Sequence, residues 1–281
     1  MTGPADPAAE AARAVERHFV LALGGFVLEI GGASLVTHEH LPVPRFNFVE
    51  VHGIARDRQS AFFERALDHY FQRALRPTFR VANPVPDHLD AGLRRFGFRP
   101  RPAPHSVLVA SGPAPRPSSA RLEVRPAAAP ELDLVASFWS SVRERPELRA
   151  ALEVAVAHPH PSETLVPVLG RAAGAPVAAA LVYRFGRTAG IFAVATDVPA
   201  RGRGAATELV HGIRSTDPAG AVERYAMFAD SARLVRRLRT LGFDVVGEAT
   251  EYELPADAQL VLPDPGPPTP PRWRPPRTSP A

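Results

Sequence analysis

The chain has 281 residues, 45% of them hydrophobic, with no cysteine and a formal net charge of +4. This length suits two domains of about 150 residues each, and the lack of cysteine excludes a disulfide scaffold, a thiolate metal site and a cysteine nucleophile. The acidic N-terminal stretch, and the absence of any apolar run near the ~20 residues that cross a bilayer, predict no export signal and no membrane association, so we expect a cytoplasmic protein.

All 33 basic residues are arginine. A nucleic-acid-binding protein would gather such charges on one surface or along one stripe, but here acidic residues accompany the arginines throughout the chain. We therefore attribute the arginines to compositional bias and expect no nucleic-acid partner.

Three segments are too rich in small residues, Pro or Ser to form a packed core. They predict a flexible N-terminus over 1–14, a linker over 111–120 and a disordered tail over 256–281. The remaining ranges, 15–110 and 121–255, are the two predicted domains.

In the first domain, apolar residues recur at helical spacing between Phe62 and Leu75 and predict a helix with one broad buried face. The stretch RPTFRVAN (76–83) corresponds to a strand of the second domain, and LRRFGF (93–98) corresponds to the end of its last helix.

The second domain opens with a short strand, RLEVRP (121–126), and a helical region over 131–157 that is broken at Pro146. Three strands follow in TLVPVLGR, PVAAALVYRFG and GIFAVATDV, and the first two form a hairpin. The loop ARGRG (200–204) leads into a helix whose apolar face runs from Ala206 to Ile213. The remaining predicted elements are a strand VERYAMFA (222–229), a helix SARLVRRLRTLGF (231–243) and two short closing strands around VVGEA (245–249) and TEYEL (250–254).

The two domains repeat one pattern at a constant spacing along the chain. ARDRQSA (55–61) corresponds to ARGRGAA (200–206), and LRRFGF (93–98) corresponds to LRTLGF (238–243). An internal repeat of this size predicts two structurally similar domains. Only the second copy of the first motif retains its glycines.

The loop ARGRG has the features of an anion site. A loop between a strand and a helix presents unpaired backbone N–H groups and the positive end of the helix dipole. Gly202 and Gly204 tolerate positive φ and leave room for a phosphate near the backbone, while Arg201 and Arg203 add charge that suits a pyrophosphate.

The first copy of this loop is expected not to bind an anion, because Asp57 and Gln59 flank the arginine in place of the glycines. Two other phosphate loops are excluded for the second copy. A P-loop requires a lysine, which the chain lacks, and a dinucleotide fingerprint requires a third glycine where Thr207 stands.

The strand order, the stretch VATDVPARGRGAATELV (194–210) and the closing LRTLGF together resemble the acetyl-CoA-binding region of the GNAT acetyltransferase superfamily over nearly all of 121–254. The first domain, with PRFNFVEVHG (44–53) and LRRFGF, resembles the degenerate N-terminal half of two-domain GNAT proteins. The resemblance implies an α/β (α+β) protein with two GNAT-like domains, each a mixed, mostly antiparallel central sheet flanked by helices.

The resemblance also implies a function for the second domain. It would bind acetyl-CoA as cosubstrate in the cleft where its fourth and fifth strands diverge, and pass the acetyl group directly to an amine of a small molecule or peptide. A backbone N–H near Val198 would polarise the thioester carbonyl. The two domains would pair within one chain, which favours a monomer. The residues assigned to the CoA, from the pantetheine to the pyrophosphate, are Ala195, Thr196, Val198, Arg201, Gly202, Arg203, Gly204, Ala205 and Ala206.

The groups that move protons are left open. The family's usual acid is a tyrosine five residues before the Phe of LGF, where this chain has Leu238. Because Leu238 has no hydroxyl, a second hypothesis stays open, in which the chain is an acyl-CoA-binding pseudoenzyme or regulatory module without turnover. The candidate bases are Glu223, Glu251 and, less favoured, Asp197, and the candidate acids are Ser231, Tyr252, Tyr225 or water.

Two histidine pairs, His38 with His40 and His158 with His160, have no evident third ligand. A protein zinc site uses three or four ligands. We therefore expect no metal site.

Overall fold

The structure is a computed structural model that describes residues 6–114, 121–143 and 163–255. The helices are α1 (Pro7–Ala22), α2 (Gln59–Phe71), α3 (Asp87–Arg95), α4 (Leu132–Arg143), α5 (Ala205–Thr216) and α6 (Ala232–Arg239). The strands are β1 (Phe26–Ile30), β2 (Ala33–Thr37), β3 (Phe48–Val51), β4 (Thr78–Ala82), β5 (Arg99–Pro100), β6 (His105–Ser111), β7 (Glu123–Pro126), β8 (Glu163–Ala172), β9 (Ala175–Phe185), β10 (Thr188–Thr196), β11 (Arg224–Ala229) and β12 (Asp244–Glu253).

The chain divides into two compact units, each built from two separate stretches of sequence. Unit 1 lies within Met1–Gly24 and Ser106–Val246, and unit 2 lies within Gly25–His105 and Gly247–Ala281. The units therefore differ from the contiguous domains 15–110 and 121–255. The first half of the chain contributes α1 and most of β6 to unit 1, and the second half contributes the end of β12 to unit 2. Part of the predicted linker (115–120), the helical stretch 144–157 and the tail 256–281 lie outside the described residues.

The described part of the chain starts with a helix, α1, where the sequence predicts a flexible N-terminus over 1–14. Asp6 caps the helix, since its Oδ1 accepts the N–H of Ala8 at 2.8 Å. A buried face spaced by three or four residues contacts β9, β10 and β11 of unit 1. The prediction is corrected from residue 7 onward, because this face is apolar: Ala9, Ala12, Val15, Phe19 and Val20.

Unit 1 contains a six-stranded mixed sheet in the order β6-β11-β10-β9-β8-β7. Only β10 and β11 are parallel, and the other neighbours are antiparallel. Helices α5 and α6 pack on one face, where Leu209, Ile213 and Leu238 join a core with the sheet residues Val182 and Ile191. Because side chains alternate along a strand, Phe192 points to the opposite face, where it stacks on Phe19 of α1.

Unit 2 contains a second mixed sheet, in the order β1-β2-β3-β4-β12, with β5 paired to β12. Strands β3 and β4 are parallel, and the other neighbours are antiparallel. The predicted helix after residue 62 is α2, and its buried residues form one core with Leu89 and Leu93 of α3. Both units therefore confirm the predicted fold class, a mixed, mostly antiparallel sheet flanked by helices.

The end of the described chain differs from the two short strands predicted around 245–249 and 250–254. It is one strand, β12, which continues without a break through Gly247. Its residues Ala249–Tyr252 pair with Phe79–Ala82 of β4 in unit 2. A glycine in a strand weakens the local signal without interrupting the pairing.

Candidate functional site

The strands β10 and β11 are parallel neighbours that separate partway along their length. Thr188–Gly190 of β10 pair with Arg224–Ala226 of β11, whereas β10 continues to Thr196 and β11 continues to Ala229. Their outer neighbours, β9 and β6, stay paired to them over these continuations. The two strands therefore leave a gap, lined by backbone groups, that widens toward the residues after β10.

A β-bulge in β10 lies beside this gap. Phe192 pairs with Leu181 and Ala195 pairs with Ala179, so the register shifts between them, and Ala193 has a positive φ of 50°. A bulge bends a strand and increases its twist, which helps to turn β10 away from β11. Positive φ at a residue with a side chain is costly and persists where the surrounding structure enforces it, as here within the bulge.

The loop after β10 brings the two glycines to the N-terminus of α5. Gly202 and Gly204 have φ of 75° and 89°, and a Cβ on either would meet nothing within 4 Å. Gly204 is the N-cap residue and provides no side-chain cap for the first N–H groups of the helix. The loop has the backbone conformation and the access that the sequence predicts for an anion site.

Three arginines surround this helix N-terminus. Arg201 and Arg203 are exposed, and Nε of Arg201 donates to the carbonyl of Thr196 at 3.3 Å. Arg237 of α6 donates from Nε and Nη2 to Oγ1 of Thr207, at 2.8 and 2.5 Å. Cations at the positive end of a helix dipole are unfavourable unless an anion balances them, so this cluster favours a negatively charged ligand.

The segment expected to hold the pantetheine runs along the widening gap. Ala195 is buried, Thr196 is half-buried, and Val198 is an exposed hydrophobic residue, 65% accessible. The N–H of Val198, expected to polarise the thioester carbonyl, donates instead to Oδ1 of Asp197 at 2.9 Å. Asp197 thus serves as a local cap in this structure.

Two candidate proton-transfer residues of unit 1 follow the open ends of these strands, Asp197 after β10 and Ser231 after β11. Ser231 lies two residues after the end of β11 and caps α6, with Oγ accepting the N–H of Leu234 at 3.3 Å. Glu223 precedes β11, at the paired end, where it contacts Arg187. At about 3.3 Å per residue, the length of β11 separates Glu223 from the open end.

Packing also fixes the positions of Leu238, which replaces the family's usual tyrosine, and of Tyr225, a candidate acid. Leu238 is 2% exposed and belongs to the core under α5 and α6. The hydroxyl of Tyr225 donates to Oδ1 of Asp217 at 2.7 Å, and burial raises the pKa of this tyrosine. A buried phenol with its proton committed to a carboxylate is a poor acid.

Glu251 and Tyr252 lie in unit 2. Oε1 of Glu251 accepts a hydrogen bond from Nε of Arg80 at 2.9 Å, and Oε2 accepts one from Nη1 of Arg101 at 3.2 Å. Burial alone would raise the pKa of Glu251, but the positive charge of Arg80, the neighbouring His105 and the charge of Arg101 hold it below its ordinary value. A carboxylate stabilised in this way is a weak base.

Tyr252 is 1% exposed, and its hydroxyl donates to Oδ1 of Asp90 at 2.7 Å. Burial raises the pKa of Tyr252, and the bond to Asp90 raises it further. Unit 2 thus engages both of its candidate residues in internal contacts, whereas the glycine loop and Ser231 lie together in unit 1.

The counterpart of the gap in unit 2 is closed. Every residue of β3, Phe48–Val51, pairs with β4 across Thr78–Val81. The N–H groups of His52 and Gly53 then bond to the carbonyl of Gly32, at 2.9 and 3.0 Å. The first half of the chain therefore has the parallel strand pair without its opening.

The counterpart of Gly204 in unit 2 is Gln59, the first residue of α2. Its side chain is buried, and Nε2 donates to the carbonyl of His88 at 2.7 Å. Gly92 of α3 makes room for this side chain, since a Cβ there would lie 1.5 Å from Nε2. Gln59 occupies the space between α2 and α3 that a glycine would leave open, which supports the expectation that this loop binds no anion.

Within the described ranges 6–114, 121–143 and 163–255, no group of three or more His, Cys, Asp or Glu side chains could hold a metal ion. The pair His158 and His160 lies outside those ranges. Over the same ranges, no helix has the length and apolar character needed to cross a membrane.

No protein-family model matches the sequence, and no curated protein matches it. The fold, in contrast, matches solved structures. A GCN5-related N-acetyltransferase from Kribbella flavida aligns with a TM-score of 0.63 at 16% identity, covering 88% of this chain and 96% of its own. One from Sphaerobacter thermophilus aligns with a TM-score of 0.57 at 14% identity, covering 79% and 76%. A tandem GNAT protein from the clavulanic acid biosynthesis pathway aligns with a TM-score of 0.52 at 14% identity, covering 85% and 83%. The chain has the fold of the GNAT N-acetyltransferases.

Proposed function

We propose that unit 1 binds acetyl-CoA in the gap between β10 and β11 and transfers the acetyl group to an amine of a small molecule or peptide. The observation that supports this most directly is the divergence of two parallel strands beside a helix N-terminus capped by glycine. The gap offers backbone groups to an extended chain, and the helix N-terminus offers N–H groups and cations to a pyrophosphate. Unit 2 is proposed to be structural, because its strand pair is closed.

The residues of unit 1 suit distinct parts of the cosubstrate. The backbone from Gly202 to Ala206, with Arg201 and Arg203, suits the pyrophosphate. The stretch Ala195–Val198 suits the pantetheine amides, which bond to a strand edge as another strand would. The acyl end then points along β10 toward its bulge.

The chemical step is a direct transfer of the acetyl group between the two substrates. The amine nitrogen attacks the thioester carbonyl carbon, the C–N bond forms, the C–S bond breaks, and the amine proton is lost to a base or to water. A thiol has a pKa of about 8.5, so its thiolate leaves far more readily than an alkyl amine would. Ser231 follows β11, on the open side of the gap, and this position supports assigning it the role of assisting the leaving sulfur.

The first test concerns binding. Gly204→Asp is expected to abolish detectable acetyl-CoA binding, a loss of at least about 10²-fold, because it places bulk and negative charge where the pyrophosphate would lie. Isothermal titration calorimetry of the full chain with acetyl-CoA measures the affinity.

Gly174→Asp is the matched control. Gly174 also has positive φ, 82°, and a Cβ there also meets nothing within 4 Å, but it lies in the turn between β8 and β9. This variant incurs the same backbone strain and should bind acetyl-CoA as the wild type does. Equal binding by wild type and Gly204→Asp would contradict the proposed site.

The second test concerns turnover. Ser231→Ala is expected to slow thiol release from acetyl-CoA by about 10²-fold, the lower end of the effect of general-acid assistance, while leaving acetyl-CoA affinity within about threefold. The assay measures free thiol with a panel of small amines, amino acids and peptide N-termini, over a range of pH. The rate of the wild type should rise with pH as the acceptor amine loses its proton.

Two further variants separate catalysis from helix capping, which is worth about 1 kcal/mol at this position. Ser231→Thr keeps both the cap and the hydroxyl and should retain the rate, whereas Ser231→Asp keeps the cap without a neutral donor and should be as slow as Ser231→Ala. If the wild type binds acetyl-CoA but releases no thiol with any amine, the chain is an acyl-CoA-binding pseudoenzyme, the alternative function.

A further inference from the structure

The gap between β10 and β11 ends in a small apolar cluster, which we call the vertex. The last paired residues of the two strands are Gly190 and Ala226. The vertex comprises the next two residues on each strand: Ile191, Phe192, Met227 and Phe228. All four are buried, with exposures of 3%, 5%, 7% and 7%.

The aromatic side of the vertex bridges the two strands. The rings of Phe192 and Phe228 stack across the gap at 5.8 Å between centroids and 15° between planes. On its other side, Phe192 stacks on Phe19 of α1, at 4.0 Å and 3°. Three nearly parallel rings therefore extend from the N-terminal helix to β11, directly beyond the last strand pair.

The ring of Phe192 has little freedom to move. It lies over Gly190, where a Cβ would come within 2.2 Å of its Cε2, so the glycine is required for this position. Phe19 is itself buried in the face of α1, and it holds the opposite side of the ring. The vertex is a packed wall rather than a flexible surface.

The other face of the sheet closes the vertex in the same way. Ile191 and Met227 point there and belong to the core under α5 and α6. All of the vertex side chains are apolar, so a charged group placed among them would lose its hydration without gaining a partner.

We infer that the vertex limits the donor to short, uncharged acyl groups, with Phe192 and Phe228 setting the length. This inference rests on the proposed function, which places the pyrophosphate at the loop after β10 and the acyl end toward the bulge. An acyl chain that extends beyond the thioester in that direction meets the stacked rings within a few carbon atoms. A longer chain must displace packed side chains, and an acyl group with a terminal carboxylate must bury that charge.

The experiment measures the affinity of the full chain for CoA, acetyl-CoA, hexanoyl-CoA and succinyl-CoA by isothermal titration calorimetry. The wild type should bind hexanoyl-CoA and succinyl-CoA at least about tenfold more weakly than acetyl-CoA, because overpacking and unpaired burial each cost that much or more. Phe228→Leu and Phe228→Ala should improve hexanoyl-CoA binding relative to acetyl-CoA, with the larger gain for alanine. Neither variant should improve the binding of succinyl-CoA, since the cavity stays apolar.

Phe185→Leu is the matched control. Phe185 is half-buried on β9, where it stacks on His18 of α1 at 3.7 Å, and it lies at the paired end of β10. This variant should leave the ratio of hexanoyl-CoA to acetyl-CoA affinity unchanged.

The outcomes separate this inference from the proposed function. If neither CoA nor acetyl-CoA binds, the proposed function fails and the inference fails with it. If CoA and acetyl-CoA bind but the wild type binds hexanoyl-CoA equally well, the length limit is overturned while the donor site stands. The comparison in the wild type is decisive even if a Phe228 variant does not fold.

Discussion

A chain that lacks residues 1–22 is expected to lose the folded state of unit 1. Helix α1 buries Val15, Phe19 and Val20 against the sheet of that unit, and full burial of such side chains stabilises by about 1.5–3 kcal/mol each. Their sum approaches the ~5–15 kcal/mol by which a whole domain is stable. Circular dichroism and chemical denaturation should show the loss of one unfolding transition, and acetyl-CoA binding should disappear.

A point variant tests the contact between α1 and the sheet of unit 1 without removing the helix. Phe19→Ala should lower the free energy of unfolding by about 3–5 kcal/mol, whereas Leu28→Ala, at a residue that is 41% exposed, should cost less than about 1 kcal/mol. A chain that begins at residue 121 lacks both α1 and β6 and should not fold. If that shortened chain folded and bound acetyl-CoA, the second half alone would be sufficient and this account of unit 1 would be wrong.

The fold could be predicted from the sequence wherever the signal was local. Patterns among neighbouring residues predict the turns, the alternating strands and the helix after Phe62, and the internal repeat predicts that both halves contain the same order of elements. The exchange of β6 and the end of β12 between the halves could not be predicted in this way, because strand pairing depends on partners distant in sequence. The sequence does not indicate the start of helix α1, because the first two buried residues of its face, Ala9 and Ala12, are alanine and give a weak periodic signal.

The candidate site also has features that the sequence predicts and features that it does not predict. The glycines of the loop were found because their chemistry is tied to backbone conformation, and the structure gives them the expected positive φ. The contact of Arg237 with Thr207 was missed, since it depends on how α6 packs beside α5. The place of Glu251 on a closing strand makes it a candidate base in the sequence, but nothing in its sequence neighbourhood indicates Arg80 as a partner.

Replacing Glu251 with glutamine is expected to destabilise unit 2 by about 3–5 kcal/mol at neutral pH. Glu251 and Arg80 are each 5% exposed and are joined at 2.9 Å, and removing one member of a buried ion pair is typically destabilising by that amount. Urea denaturation of the full chain measures the change. Glu253→Gln, at an exposed position of the same strand, should change stability by less than about 0.5 kcal/mol. Adding Arg80→Met to Glu251→Gln should recover part of the loss, because the buried charge is then gone.

The pH dependence separates this structural role from a catalytic one. The pKa of Glu251 is lowered in the folded protein, so its carboxylate contributes stability above the unfolded-state pKa of about 4.3, and that stability is lost as the pH falls through the folded-state pKa. The stability difference between wild type and Glu251→Gln should therefore be full near neutral pH and shrink below about pH 4.3, since the amide does not titrate. A general base would give a different result: Glu251→Gln would unfold like the wild type but lose thiol release at every pH where the wild type is active. That outcome would show that Glu251 is a catalytic base. A large loss of stability that becomes smaller at acidic pH would show instead that the charge of Glu251 stabilises the core of unit 2.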